Sequence, residues 1–209
     1  MEDVLDLWLV RHGETDWNAT KRVQGHSDVP LNALGERQAR ALAERLKGVE
    51  FDQVYASDLS RACRTAQLCF PAATIHKDNR LREIHLGDFE GRDWTTFDES
   101  EQQQASVWFA GPYDVRVPGG ESSDDLLTRS RAWLSSLPDS GRVIAFAHGG
   151  IIATILYSFT GRPEPRKFGE PLGWGFRLRN TSISRLHLSR SFATLETVND
   201  YAHLVGLEP

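Results

Sequence analysis

A chain of 209 residues with a formal net charge of -5 and two cysteines has the length for one large hydrophobic core. Its acidity, with no Lys/Arg-dense run, removes the broad attraction on which non-specific nucleic-acid binding rests, so no nucleic-acid partner is expected. No run approaches membrane-spanning length, and the start, MEDVLDLW, lacks the basic, apolar and small-residue segments of a secretory signal. The expectation is a cytoplasmic protein with no membrane partner.

The first predicted element is a strand over Val4 to Val10 that runs directly into Arg11, His12 and Gly13. A charge set where apolar side chains close off water is costly, so Arg11 and His12 require a buried counter-charge or a bound anion. A helix follows in LNALGERQARALAERLKG, with Asn32 as N-cap, Ala39, Leu42, Ala43 and Leu46 on one face and a stop at Gly48. FDQVYAS reads as a short buried strand, DLSRACRTAQLCF as a helix ended by Pro71, and AATIHKD as a further strand. Cys63 and Cys69, six apart in that helix, suit neither a redox pair nor a zinc knuckle and read as reduced packing residues.

Residues 88 to about 120, polar and turn-rich, read as an irregular, cap-like insertion too short to fold alone and able to cover a site. RVIAFA is then a continuous apolar run of the kind expected of a parallel strand covered on both faces, and it enters a helix at GGIIATILYSF. GWGFRLRN, SISRLHLS and FATLETVN add strand-like segments near the end. The alternation predicts one α/β domain over residues 1–209, an open sheet with helices on both sides.

In such sheets ligands collect beyond the carboxyl ends of the strands, which draws four separated segments toward one candidate site. They are Arg11-His12-Gly13; Arg61, in the first turn of a helix whose dipole disfavours a cation there; His148-Gly149-Gly150; and LREIHLGDFEG with Glu83 as candidate acid. Glycine after each histidine is expected to let backbone approach an anion and to expose amide donors. Arg61 pairing with Asp58 is the bland alternative, and Glu90 is a rival to Glu83. His26, His76, His85, His187 and His203 lack metal-ligand spacing and read as solvated or core residues, with His26 a candidate for the pocket rim. Trp94 and Trp108 are the tryptophans placed to touch a substrate.

LVRHGETDWN, QGHSDVPLNALGERQA, YASDLSRACRTA, LREIHLGDFEG, VPGGES and FAHGG, in this order, resemble the histidine phosphatase superfamily, also called the phosphoglycerate-mutase-like family. The resemblance implies a three-layer α/β/α sandwich around a mostly parallel sheet. It implies that His12 is the nucleophile and becomes phosphohistidine, that Arg11, Arg61 and His148 bind the transferred phosphoryl group with Gly149, and that Glu83 is the general acid. Asn18 and Gln24 fall at positions that line or support the phosphate pocket.

Phosphoryl transfer spreads negative charge over three oxygens, so fixed positive charge and positioning are what the site must supply. Nearby guanidinium groups also keep an attacking imidazole neutral. No metal and no cofactor are expected. Between Glu90 and Asp125 only Arg92 and Arg116 are basic among nine carboxylates, a cover that would repel a second anionic group. The expectation is therefore a phosphomonoesterase acting on a small phosphorylated metabolite. The alternatives are a cofactor-dependent phosphoglycerate mutase and a non-catalytic, protein-binding member. A homodimer is an open alternative to a monomer.

Overall fold

The computed structural model describes residues 3–110, 113–161 and 175–207, with side chains 104 and 106–110 outside the description. The first predicted strand is β1, Leu5–Arg11. The chain then passes through a single-turn helix, α1 (Asp16–Ala19), to α2 (Ala33–Arg45), where Asn32 Oδ1 caps the Gly35 N–H. Next come β2 (Gln53–Ala56), α3 (Ser60–Cys69) and β3 (Ile75–Lys77). After three 3-10 turns follow α4 (Glu99–Ala110) and α5 (Ser123–Leu134). The remaining elements are β4 (Gly141–Ala147), α6 (Gly149–Thr160), β5 (Ile183–Leu188) and β6 (Ala193–Asp200).

The strands form a six-stranded sheet in the order β3-β2-β4-β1-β5-β6. β3, β2, β4 and β1 are mutually parallel, whereas β5 and β6 pair antiparallel at the other side. Alternation along β1 and β4 explains the layering. Leu5, Leu7, Leu9, Val143, Ala145 and Ala147 face a core shared with Leu126 and Trp133 of α5 and Ile151, Ile152 and Ile155 of α6. Val10, Ile144 and Phe146 face the opposite core with Leu42 and Leu46 from the α2 end and Cys63 and Ala66 of α3. Two central strands buried on both faces make the three-layer α/β/α sandwich. Cys63 and Cys69 are free thiols packed in α3, and burial pushes Cys69 up to about 12. Among the described residues no helix is long and apolar enough to cross a membrane.

Two predicted segments differ. Residues 88–120 are not irregular throughout: they carry α4, begun by a reciprocal cap in which Asp98 Oδ1 accepts the Glu101 N–H and Glu101 Oε2 accepts the Asp98 N–H. Phe89, Phe97, Ala105 and Val117 anchor the insertion in the main core. Trp94 packs there too, 5.0 Å from Phe97, while the Trp108 side chain lies outside the described residues. GWGFRLRN is not a strand where it is described. Its backbone groups are taken by side chains instead: Tyr157 Oη accepts the Phe176 N–H, Asn199 Oδ1 accepts the Arg179 N–H, and the Leu178 carbonyl accepts from Arg11 Nη1.

Candidate active site

Because β1 and β4 are adjacent and in register from Leu5↔Gly141 to Arg11↔Ala147, the residues that follow them emerge side by side. The His12 N–H donates to the Ala147 carbonyl at 2.9 Å, and the His12 and His148 ring centroids lie 5.0 Å apart. β2, on the other side of β4, leads into α3 and delivers Arg61 to the same place.

The His12 ring is fixed by one short bond. Nδ1 lies 2.6 Å from the Gly13 carbonyl; a carbonyl can only accept, so Nδ1 carries the proton and Nε2 keeps its lone pair. His148 is set the opposite way. Its Nδ1 faces Arg61 Nε at 3.1 Å, and a guanidinium only donates, so in the neutral ring Nε2–H is the remaining donor. That Nε2 is buried and has no hydrogen-bond partner among the described residues, as is true of Arg11 Nε.

Arg61 is fully buried, donating from Nη1 to the Ser27 carbonyl and from Nη2 to the Gly25 carbonyl. Gln24 completes the cradle with its amide oriented so that nitrogen donates to Thr15 Oγ1 and oxygen accepts from Arg61. Asn18 caps α1 with Thr15, and its Oδ1 accepts from Asn180 Nδ2, which also reaches the His12 carbonyl at 3.0 Å. Thr65, also fully buried, accepts the Gly13 N–H and donates to the Arg61 carbonyl.

Among the described residues neither Arg11 nor Arg61 makes an ion pair. Glu83 and Glu14 act on Arg11 only through space; Asn32 Nδ2 donates to Glu14, and backbone N–H groups donate to Glu83. Asp58 pairs with Arg82 at 2.6 Å and not with Arg61, while Arg64 pairs with Glu36 on the surface. Burial pulls Arg61 down to about 10 and lowers Arg11, the Glu83 charge opposing both. Burial is also the main cause holding His12 and His148 well below the usual imidazole value, with Arg61 and Arg11 adding repulsion.

Glu83 arrives from the loop after β3. Its Oε2 accepts the Gly150 N–H at 2.9 Å and its Oε1 the Ile84 and Ile151 N–H groups, which seats it on the first turn of α6. Glu90 is elsewhere: its oxygens accept from the backbone of His26, Ser27 and Leu86, and these bonds outweigh burial and lower its carboxyl. His26 stacks on His85 at 4.7 Å and donates from Nε2 to the Glu83 carbonyl.

The glycines differ from expectation. A Cβ on Gly13 would lie 2.5 Å from the Gly35 carbonyl oxygen, and its N–H is taken by Thr65, so Gly13 serves the packing of α2 against the β1 end rather than making room for an anion. Gly149 borders Arg11, whereas a Cβ on Gly150 would fall 2.3 Å from Glu83 Oε1. Sequence reasoning missed Asn180, Thr65 and the Gly25 and Ser27 carbonyls. A backbone carbonyl leaves no mark in residue type.

A doubly covered, mostly parallel sheet that gathers His12, His148, Arg11 and Arg61 beyond its strand ends, the two arginines without an ion pair among the described residues, defines an α/β protein with one candidate site at that end of the sheet. The chain belongs to the histidine phosphatase superfamily (branch 1), whose family model matches residues 7–201. It is 37% identical over 214 residues to "Probable phosphoglycerate mutase GpmB" of Proteus mirabilis, covering 98% of this chain and 97% of that one. Among solved structures it is similar to a mycobacterial glucosyl-3-phosphoglycerate phosphatase in complex with VO3, at 32% identity and a TM-score of 0.78 over 93% of this chain and 98% of that one. It is also similar to the α-ribazole phosphatase of Shigella flexneri, at 27% identity and a TM-score of 0.79 over 94% and 96%. A superfamily of phosphatases and mutases makes this chain an enzyme of that group.

Proposed function

We propose that the protein is a phosphomonoesterase for small phosphorylated metabolites, working through a phosphohistidine on His12 with Glu83 as acid and then base. One observation carries the reading: buried donors without partners among the described residues, Arg11 Nε and His148 Nε2, lie beside a histidine whose own Nε2 holds a lone pair. A phosphoryl group satisfies those donors and presents phosphorus to the lone pair.

In the first step the His12 Nε2 lone pair forms the N–P bond while the bond from phosphorus to the ester oxygen breaks. The Glu83 carboxyl gives its proton to the departing alkoxide. In the second, the Glu83 carboxylate takes a proton from water, the water oxygen bonds phosphorus, and the N–P pair returns to His12. The Nδ1–H bond to the Gly13 carbonyl holds the ring in the attacking tautomer and supports the charge it acquires. Arg11, Arg61 and His148 hold the oxygens on which charge accumulates.

The mutase alternative is favoured by the likeness to the P. mirabilis relative, a probable phosphoglycerate mutase. Against it, the two basic residues of the insertion are already engaged, Arg92 with Glu101 at 2.6 Å and Arg116 with Asp125 at 2.7 Å. A second anionic group would have to compete with those carboxylates for them. The test is phosphate release from a panel of metabolite phosphates, including 3-phosphoglycerate with and without 2,3-bisphosphoglycerate, with 2-phosphoglycerate followed in parallel. Release without isomerisation, abolished in His12→Ala and unaffected by a chelator, is the expected result. Rapid interconversion with little release makes the protein a mutase, and wild-type activity in His12→Ala removes the nucleophile assignment. If His12→Ala is inactive and no phosphoenzyme forms with any donor, the covalent route is wrong.

A further inference from the structure

The VPGGES segment contributes no side chain to the pocket, yet it is tied to the loop that carries Glu83. Gly120 lies against that loop so closely that a Cβ would stand 2.3 Å from the His85 carbonyl oxygen, and a Cβ on Gly87 would meet the Pro118 carbonyl oxygen. The Glu121 N–H donates to the His85 carbonyl, and Glu121 Oε2 accepts the His85 N–H, both at 2.9 Å. Backbone from the two segments is thus paired across residues 85–88 and 118–121.

Arg129, in the second turn of α5, completes the connection. Its Nε and Nη2 make a two-pronged ion pair with Glu121 at 2.9 and 3.0 Å. Its other N–H groups enter the Glu83 loop: Nη1 donates to the Arg80 and Arg82 carbonyls at 2.7 and 2.6 Å, and Nη2 to the Glu83 carbonyl at 2.7 Å. One guanidinium therefore holds three carbonyls of the segment that ends in Glu83. Both partners are largely buried, with side chains 16% and 19% exposed. A planar fork with fixed donor directions can set a loop this way; an ammonium, a single point of charge, cannot.

We infer that Arg129 and Glu121 are a positioning pair that holds the Glu83 loop at the distance and angle needed to protonate the leaving group. The inference rests on the reading of Glu83 as acid. Arg129 touches no reacting atom; it acts through the backbone of residues 80–83. Its influence therefore falls on proton delivery and not on phosphate capture, which belongs to Arg11, Arg61 and His148.

The experiment compares Arg129→Lys, Arg129→Met and Glu121→Gln with wild type on p-nitrophenyl phosphate and on an alkyl monophosphate that the wild type hydrolyses. It reads kcat and KM for each, the inhibition constant of inorganic phosphate, and thermal unfolding. Loss of the fork lowers kcat/KM for the alkyl ester, which reports the steps up to leaving-group departure and not the later attack of water common to both esters, by about 10- to 100-fold, since small misplacements of a catalytic group cost that much. With p-nitrophenolate, which needs little protonation, kcat/KM falls by less than about three-fold, and the phosphate inhibition constant stays put. If Arg129→Met does not fold, Arg129→Lys and Glu121→Gln carry the same comparison. Equal losses of kcat/KM on both esters, a change confined to phosphate affinity, or unchanged alkyl kcat/KM overturns the inference. Glu83→Gln is run beside them. Leaving-group selectivity there, without it in the Arg129 variants, sinks the positioning pair alone; no selectivity in Glu83→Gln sinks the acid assignment and the pair with it.

Discussion

The Gly150 N–H donates to Glu83 Oε2 at 2.9 Å, and a Cβ on Gly150 would lie 2.3 Å from Glu83 Oε1. The start of α6 and the Glu83 carboxyl are thus in such close contact that only glycine fits between them. The neighbour that would have to give way is the end of a flexible side chain, so Gly150→Ala displaces Glu83 while leaving the fold intact. Alanine in place of a helical glycine is itself favourable by about 0.5–1 kcal/mol. The variant is therefore expected to unfold at or above the wild-type temperature and yet to lose turnover of alkyl phosphates. Wild-type activity in Gly150→Ala would place the acid elsewhere.

Gly13→Ala has the opposite signature. There the obstacle is the Gly35 backbone, with the carbonyl oxygen 2.5 Å and the carbon 3.0 Å from the added Cβ. Backbone at the start of α2 cannot rotate aside, so stability falls by about 1–3 kcal/mol, as for other overpacked sites. Denaturant unfolding measures it. An unchanged midpoint would restore the view that Gly13 borders open space.

The arginines predict a ligand effect. With no carboxylate paired to Arg11 and its buried Nε unbonded, an oxyanion that fills the site stabilises the folded state. At one hundred times its dissociation constant the gain is about 2.7 kcal/mol. Inorganic phosphate or vanadate should raise the unfolding temperature of wild type beyond what chloride at equal ionic strength does. Arg11→Met should lose most of that increment, whatever its starting stability. A full increment in the variant would mean that the anion sits away from Arg11.

The sequence made β1, α2, β2, α3 and β4 legible because each couples a clear period to a stop signal, and strand-end residues then pointed to the candidate site. Residues 88–120 resisted for a physical reason: α4 carries no strong apolar stripe, and its one local signal, the reciprocal cap of Asp98 and Glu101, lies inside a polar run. GWGFRLRN misled by its alternation of small and large residues, although tertiary partners claim its backbone. The grouping of the candidate site was legible wherever the proposed chemistry needs a particular side chain. It was illegible where a carbonyl or packing contact does the work, as at Gly25, Ser27 and Gly13. Arg129 was hidden in the same way, since its targets are three main-chain oxygens.

The last prediction concerns acid. His12 and His148 are buried beside two guanidinium groups and are held well below the usual imidazole value, burial being the larger cause. In the unfolded chain each titrates near the ordinary value of about 6.5. Below that pH the unfolded state binds protons that the folded state does not, so stability rises with pH across this window and is lost as pH falls. The slope reaches about 1.4 kcal/mol per pH unit for each histidine that stays neutral in the fold. Denaturant titrations between pH 7.5 and 5, without phosphate, should show this decline before the hydrogen-bonded carboxylates begin to titrate. The steepness should drop in His12→Asn and His148→Asn. A bound phosphate reverses the electrostatic sign around both rings and should flatten the profile as well. A flat profile in the free protein would mean that neither ring stays neutral in the folded state. The attacking lone pair would then be in question.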